Sequence, residues 1–301
     1  MPGSRVDGVS SYLSARWQRL NGPERIAGVD LARGLAVIGM FAAHLLVIAD
    51  VWLWSDAATW LHVVDGRSSI LFATLAGVSI GLVTGGEVPA ASARMAVVRR
   101  RLVVRAGILW VLGVLLVLTG VPVYVILPAY AILFLLTLPF VSLGSRALLI
   151  IALALGLLMP FVQPLLDGLP LWHSPVGPDL DAVLGWHYPF PVWIAFLLAG
   201  LAVTRAGIRS RWVQWRMLAF GAAAAVLGYG LTAFGDPADP YLQAVWTAAP
   251  HSSGVGRSSA PAASRSPCSA RASCCARGRV AQDSPRSAGS RFPCGPPGRC
   301  R

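Results

Sequence analysis

The feature that most restricts this chain is a succession of apolar blocks, each about as long as a bilayer is thick. Crossing the hydrocarbon core takes roughly 20 apolar residues of helix, and seven blocks approach or reach that length: 30–52, 68–84, 103–120, 122–142, 147–165, 188–204 and 216–234. The fifth, ALLIIALALGLLMPFVQPL, is almost wholly apolar. A soluble α/β chain would need short apolar strands and amphipathic helices instead, and few stretches carry either pattern. The sequence therefore predicts an all-α fold, a polytopic transmembrane helix bundle of about seven spans. Composition agrees: 55% of the residues are hydrophobic and only 13% are charged, against about 25% charged in ordinary soluble domains.

The placement of charge predicts an orientation. Arg16, Arg19 and Arg25 precede the first block. Arg94 and Arg99–Arg101 fall between the second and third, Arg146 between the fourth and fifth, and Arg205, Arg209, Arg211 and Arg216 around the gap between the sixth and seventh. Alternating spans put all of these on one side. The opposite connections carry Asp56, His62 and Asp65, then Asp167, His173, Asp179, Asp181 and His187, then Asp236, Asp239 and His251. Basic loops are retained in the cytoplasm, so the N-terminus is expected there and the acid-and-histidine loops outside. Arg67 is the clear exception. Trp52, Trp54, Trp60, Trp172, Trp186, Trp212 and Trp215 cluster near the block ends, as an interfacial aromatic belt does.

Four regions follow: a cytoplasmic leader at 1–27, the membrane bundle at 28–235, an extracytoplasmic loop at 236–255, and a tail at 256–301. The net charge of +12 comes largely from the tail, where nine arginines face only Asp283 and leave +8. All five cysteines (Cys268, Cys274, Cys275, Cys294 and Cys300) lie there too, in no metal-binding spacing. Rich in Arg, Ser, Pro, Gly and Ala, the tail cannot bury enough apolar surface to offset its ordering entropy, so disorder is expected. The abrupt change near Gly256 reads either as a natural basic tail or as a shifted reading frame. A GC-rich back-translation of 257–270 moved by two bases yields an apolar run, which favours the second reading and a truncated bundle.

Ionisable groups in or beside a membrane are functional candidates by default. Asp30 and Arg33 stand three apart on one face of the first span, either as an anchoring ion pair or as a contact for an anionic ligand. His44 lies about 21 Å along that span at 1.5 Å per residue, with Asp50 near the outer edge. It is either a satisfied packing residue or a participant in chemistry. His62, Asp65 and Arg67 lead into the second span. An imidazole exchanges protons near neutral pH, a neighbouring carboxylate can fix its tautomer, and Arg67 can hold a phosphate or carboxylate. The same cluster also reads as an ordinary polar loop with a snorkelling arginine. Ser68 and Ser69 are expected to cap the helix. Gly34, Gly77 and Gly81 suit close helix contact, the last two as a GxxxG match. Tyr188-Pro189-Phe190-Pro191 predicts an extended start to the sixth span. Walker, dinucleotide and HExxH motifs are absent from the sequence.

Arg25 through Met40, with Asp30-Leu31-Ala32-Arg33-Gly34 at its centre, then His44, then Asp65-Gly66-Arg67-Ser68-Ser69 through Ser79, resembles the opening of the heparan-α-glucosaminide N-acetyltransferase-like membrane proteins. These form part of a wider transmembrane acyltransferase group. Tyr188 through Arg205 and Pro250-His251-Ser252 are similar as well, so the likeness spans roughly 25–255. The resemblance implies transfer of an acetyl group from acetyl-CoA, as donor substrate and without a metal, to a sugar or other small-molecule acceptor across the membrane. It makes His62 the matching catalytic position, with His44 and Asp65 assisting and Arg33, Arg67 and Asp30 contacting donor or acceptor. The family's animal members carry Asn where His44 stands. Expected partners are the lipid bilayer, the acceptor glycan and a possible second copy of the chain, with no nucleic acid, and the expected site is the plasma membrane. Two other readings stay open: a lipid or glycan transporter with His44 and Asp50 as proton relay, and an inactive truncated fragment.

Overall fold

The computed structural model describes residues 26–46, 55–64, 66–120, 124–232 and 239–246. Most of the expected leader, part of the 236–255 loop, the whole 256–301 tail, Asp50 and the candidate Asp65 lie outside the described residues. Nine α-helices follow one another among the described residues: α1 (Ala27–Leu45), α2 (Arg67–Val83), α3 (Ser92–Leu118), α4 (Leu127–Thr137), α5 (Ser145–Asp167), α6 (Gly177–Leu184), α7 (Phe190–Arg205), α8 (Arg211–Thr232) and α9 (Pro240–Trp246). Two 3-10 helices, Ala57–Val64 and Pro170–His173, complete them.

Each of the seven apolar blocks lies on a helix, though the boundaries move. Among the described residues, only α1, α3 and α5 are long and apolar enough to cross a membrane by length and composition; α2, α4 and α7 are shorter apolar helices. The fourth block contracts to the 11 residues of α4. Pro128 opens it, and Pro139 prevents Leu138 from carrying the helix on. The third block instead grows backwards. Arg94 and Arg99–Arg101, expected in a loop, belong to α3, because arginine is a good helix former and this end continues beyond the apolar stretch. The 168–189 connection is also more ordered than its polarity suggested, holding a 3-10 helix and α6.

The bundle is organised around α7. It packs against α2, α4 and α5, while α1 lies on α2 and α3 on α4. Trp193, Leu197, Leu198 and Leu201 of α7 are completely buried. At 16 residues the helix is about 24 Å long, so it is shorter than the hydrocarbon core and enclosed by its neighbours. The α2–α7 contact depends on glycine in both partners. A Cβ at Gly77 would collide with the Leu197 carbonyl, and one at Gly200 with the Thr74 carbonyl. Gly81 meets the side chain of Thr204. The GxxxG pair of α2 thus faces a small-residue pair of α7, Gly200 and Thr204, so the two backbones touch. Gly34, expected to do the same, has open space around it.

The apolar surface is distributed as lipid demands. Leu31, Leu35, Ile38, Phe41 and Leu45 make an exposed stripe along α1, whose inward face is only Val29, Ala36 and Gly39. Ile108, Leu112, Leu115 and Leu118 on α3 and Ile150, Leu157 and Leu165 on α5 are exposed in the same way. In water, patches this extensive would drive association; in hydrocarbon they cost nothing. The helices that expose them cross a bilayer, and the chain is a multi-pass membrane protein.

Candidate functional site

The junction between α1 and α2 gathers the chemistry-bearing residues of the second block. The 3-10 helix Ala57–Val64 begins where the Thr59 hydroxyl donates to the Asp56 carbonyl at 2.7 Å. His62 occupies its last turn and is only 8% exposed. Arg67 Nη1 donates to the His62 carbonyl at 3.1 Å, so the guanidinium closes the loop between the two helices. Gly66, with φ 68°, makes the turn that a side chain would strain.

The two serines do not cap α2 as expected. Gly66 occupies the N-cap position, without a side-chain bond. Ser68 Oγ instead donates back to the Val64 carbonyl at 2.9 Å, a bond that competes with capping because serine reaches the preceding turn equally well. Ser68 also fits directly over Gly39 of α1, where a Cβ would collide with its hydroxyl oxygen. Ser69 is buried, and its carbonyl accepts from Tyr130 OH of α4 at 3.3 Å. Tyr130 and Gly39 were missed by the sequence reading. The signal available for Tyr130 was a phenol within an apolar block that also carries Tyr124.

Asp30 and Arg33 form the expected ion pair, at 3.3 Å. Arg33 also donates to the Ser79 hydroxyl of α2, which in turn donates to the Leu75 carbonyl at 2.6 Å. The pair therefore staples α1 to α2. Ser68 and Ser79 are 11 residues apart on one helix, about 16 Å along its axis. Asp30 and Arg33 accordingly stand near the opposite end of the α1–α2 pair from His62 and Arg67, and no small group touches both sets. His44 lies in the last turn of α1 on its exposed side.

Other residues cluster at the His62 end. Tyr124 stacks on His187 with ring centres 3.4 Å apart, and Tyr188 OH donates to the Tyr124 carbonyl at 3.1 Å. Trp172 and Trp186, expected as interfacial anchors, stack on each other at 4.5 Å. Trp186 Nε1 and Gln163 Nε2 both donate to Asp167 Oδ1 at 2.8 Å. The Gln163 carbonyl oxygen beside them is buried without a hydrogen-bond partner among the described residues.

The opposite end is tied together by arginine. Arg205, expected as a cytoplasmic loop residue, ends α7 and is only 5% exposed. Its guanidinium donates to the Val141 carbonyl at 2.7 Å, the Thr84 hydroxyl at 2.8 Å, and the carbonyls of Gly81 (3.3 Å), Thr84 (3.4 Å) and Gly86. Four of these five oxygens belong to the end of α2 and the turn behind it, where the helix dipole is negative and a cation is favoured. Arg99 reaches the Ser142 hydroxyl nearby at 3.4 Å. Among the described residues no three His, Cys, Asp or Glu side chains gather to hold a metal ion.

No curated protein and no solved structure matches the chain. A family match nevertheless covers both ends of the α1–α2 pair, the α7 core and the Arg205 clamp. Residues 25–235 match the family model described as heparan-alpha-glucosaminide N-acetyltransferase, catalytic, and the chain belongs to that family of membrane acetyltransferase-like proteins.

Proposed function

We propose that this chain transfers an acetyl group from cytosolic acetyl-CoA to an amine or hydroxyl of a sugar or glycan on the far side of a cell membrane. The single observation that carries the reading is the buried imidazole of His62 at the α1–α2 junction, with Arg67 bound to its own carbonyl. Acetyl-CoA, the donor that the family uses, supplies a thioester carbonyl. As the acceptor heteroatom attacks that carbon, a ring nitrogen of His62 takes its proton. The carbon–sulfur bond then breaks, and the imidazolium returns the proton to the departing thiolate. His62 has a second route to the same products, accepting the acetyl group itself before passing it on.

The remaining roles follow from position. Asp30 and Arg33 stand at the arginine-rich end, which the loop charges assign to the cytoplasm, and there Arg33 suits the phosphates of the donor. Arg67 steadies the loop that holds His62. His44 and Asp65 assist His62 in this scheme, His44 from the end of α1. The stacked Trp172 and Trp186 beside Asp167 offer an aromatic and a carboxylate surface at the end where the acceptor arrives.

The test is acetyl transfer from radiolabelled acetyl-CoA to a glucosamine acceptor by the full chain in proteoliposomes. His62→Ala should reduce turnover by about 10²–10⁴-fold, the usual contribution of a positioned acid–base group, with donor binding retained. Turnover equal to wild type removes His62 from the chemistry. Acceptor flux without consumption of acetyl-CoA would make the chain a transporter.

A further inference from the structure

One face of α3 sets exposed arginines beside exposed apolar residues. Val97, Arg100, Arg101, Val104, Arg105 and Ile108 repeat at three- and four-residue spacing, so they form one stripe. Among the described residues they line an open recess of about 590 Å³. All three arginines are exposed. From Ser92 to Leu118 the helix contains no acid to neutralise them, and among the described residues no ion pair involves them. Arg101 and Arg105 are four apart, a spacing at which like charges repel. Arg105 lies 5.6 Å from the ring centre of Phe134 on α4, while Arg99, next to Arg100 in the chain, reaches the Ser142 hydroxyl.

Helix length fixes the depth of this stripe. The 27 residues of α3 extend about 40 Å, against a hydrocarbon core of about 30 Å. With Leu118 at one boundary, the other falls near residue 98. Arg100 and Arg101 then lie about 3–5 Å inside that boundary, from where their long side chains reach the headgroups on the side assigned to the cytoplasm. Arg105 lies about 6 Å deeper, and Val104 and Ile108 continue into the acyl region.

We propose that this recess is a binding site for an anionic glycerophospholipid, its phosphate held by Arg100, Arg101 and Arg105 and one acyl chain lying over Val104 and Ile108. A guanidinium fork matches phosphate geometry, and basic recesses at the cytoplasmic boundary select anionic headgroups. The apolar floor favours a lipid over a water-soluble phosphate, which would leave Val104 and Ile108 unused. The assignment stands on α3 alone and does not require the acetyltransferase chemistry.

The experiment uses the full chain in nanodiscs of phosphatidylcholine containing phosphatidylglycerol, with retained lipids counted by native mass spectrometry. Each arginine near the surface contributes roughly fivefold. The triple variant Arg100→Gln, Arg101→Gln, Arg105→Gln should therefore retain phosphatidylglycerol on the order of a hundredfold less well, with phosphatidylcholine unchanged. Arg146→Gln with Arg211→Gln, which removes the same kind of charge elsewhere, should retain it like wild type. Ile108→Trp fills the acyl seat without changing charge and should weaken retention about tenfold, so the site is tested even if the triple variant does not fold. Wild-type retention by the folded triple variant or by Ile108→Trp overturns the proposal. So does equal loss in the Arg146/Arg211 variant, which would mean diffuse attraction. Displacement of phosphatidylglycerol from wild type by free coenzyme A would assign the recess to the acetyl donor instead.

Discussion

Replacing Arg205 by Met removes the clamp at the arginine-rich end while keeping most of the side chain's length. The cost can be worked from its partners. The Gly81 carbonyl also accepts from Gly86 N and Thr84 Oγ1, and the Thr84 carbonyl from Ala90 N, so these two keep a donor. The Thr84 hydroxyl still donates to the Ile80 carbonyl at 2.7 Å. That leaves the carbonyls of Val141 and Gly86 without another donor among the described residues. At about 2 kcal/mol for the buried Val141 carbonyl and about 1 kcal/mol for the part-buried Gly86 carbonyl, the loss is about 3 kcal/mol. Arg205 Nε is itself buried without a partner among the described residues, and removing it returns about 1 kcal/mol. A net destabilisation of about 2 kcal/mol corresponds to a fall in melting temperature of roughly 6 °C for a domain of this size. Thermal unfolding in detergent, followed by helical circular dichroism, measures it. Arg205→Lys, which keeps the charge but loses the fork, should fall between wild type and Arg205→Met. A change below about 1 kcal/mol for Arg205→Met would refute the reasoning, because the two orphaned carbonyls would then have found other donors.

Three further outcomes are expected. Gly77→Leu should separate α2 from α7 and cost more than about 3 kcal/mol, since a backbone carbonyl cannot yield as a side chain does; an engineered cysteine pair across the two helices should lose its cross-linking. Tyr130→Phe removes only the bond to the Ser69 carbonyl and should cost about 1 kcal/mol, read in the same melting assay. Cysteines placed at Ser174 and at Ser142 should react with an impermeant maleimide from opposite sides of a sealed vesicle, Ser174 from outside; labelling of both from one side would overturn the orientation.

Local features were legible in the sequence and long-range ones were not. Apolar length was enough to locate seven helices, and a three-residue spacing was enough to join Asp30 to Arg33, because both depend only on neighbours in the chain. Arg205 looked like any loop arginine because its acceptors come from residues 81–86 and 141, far away in the sequence. Ser68 carried the right residue type for a cap, but Val64 and Gly39 claim its hydroxyl and its space. At the candidate site His62 and Arg67 were singled out by residue type. The phenol of Tyr130 and the separation of Arg33 from His62 required the helix packing.

The contact between α2 and α7 also has a consequence for biogenesis. More than a hundred residues leave the ribosome between Gly77 and Gly200, so the notch in α2 must wait in the bilayer while four other helices are made. Until α7 arrives, the place of Leu197 and Gly200 against Gly77 and Thr74 is unfilled by protein of that helix. The bundle is therefore completed from its centre at a late stage of synthesis. Nascent chains arrested before residue 190 should be digested by protease readily, and chains released after residue 232 should resist it.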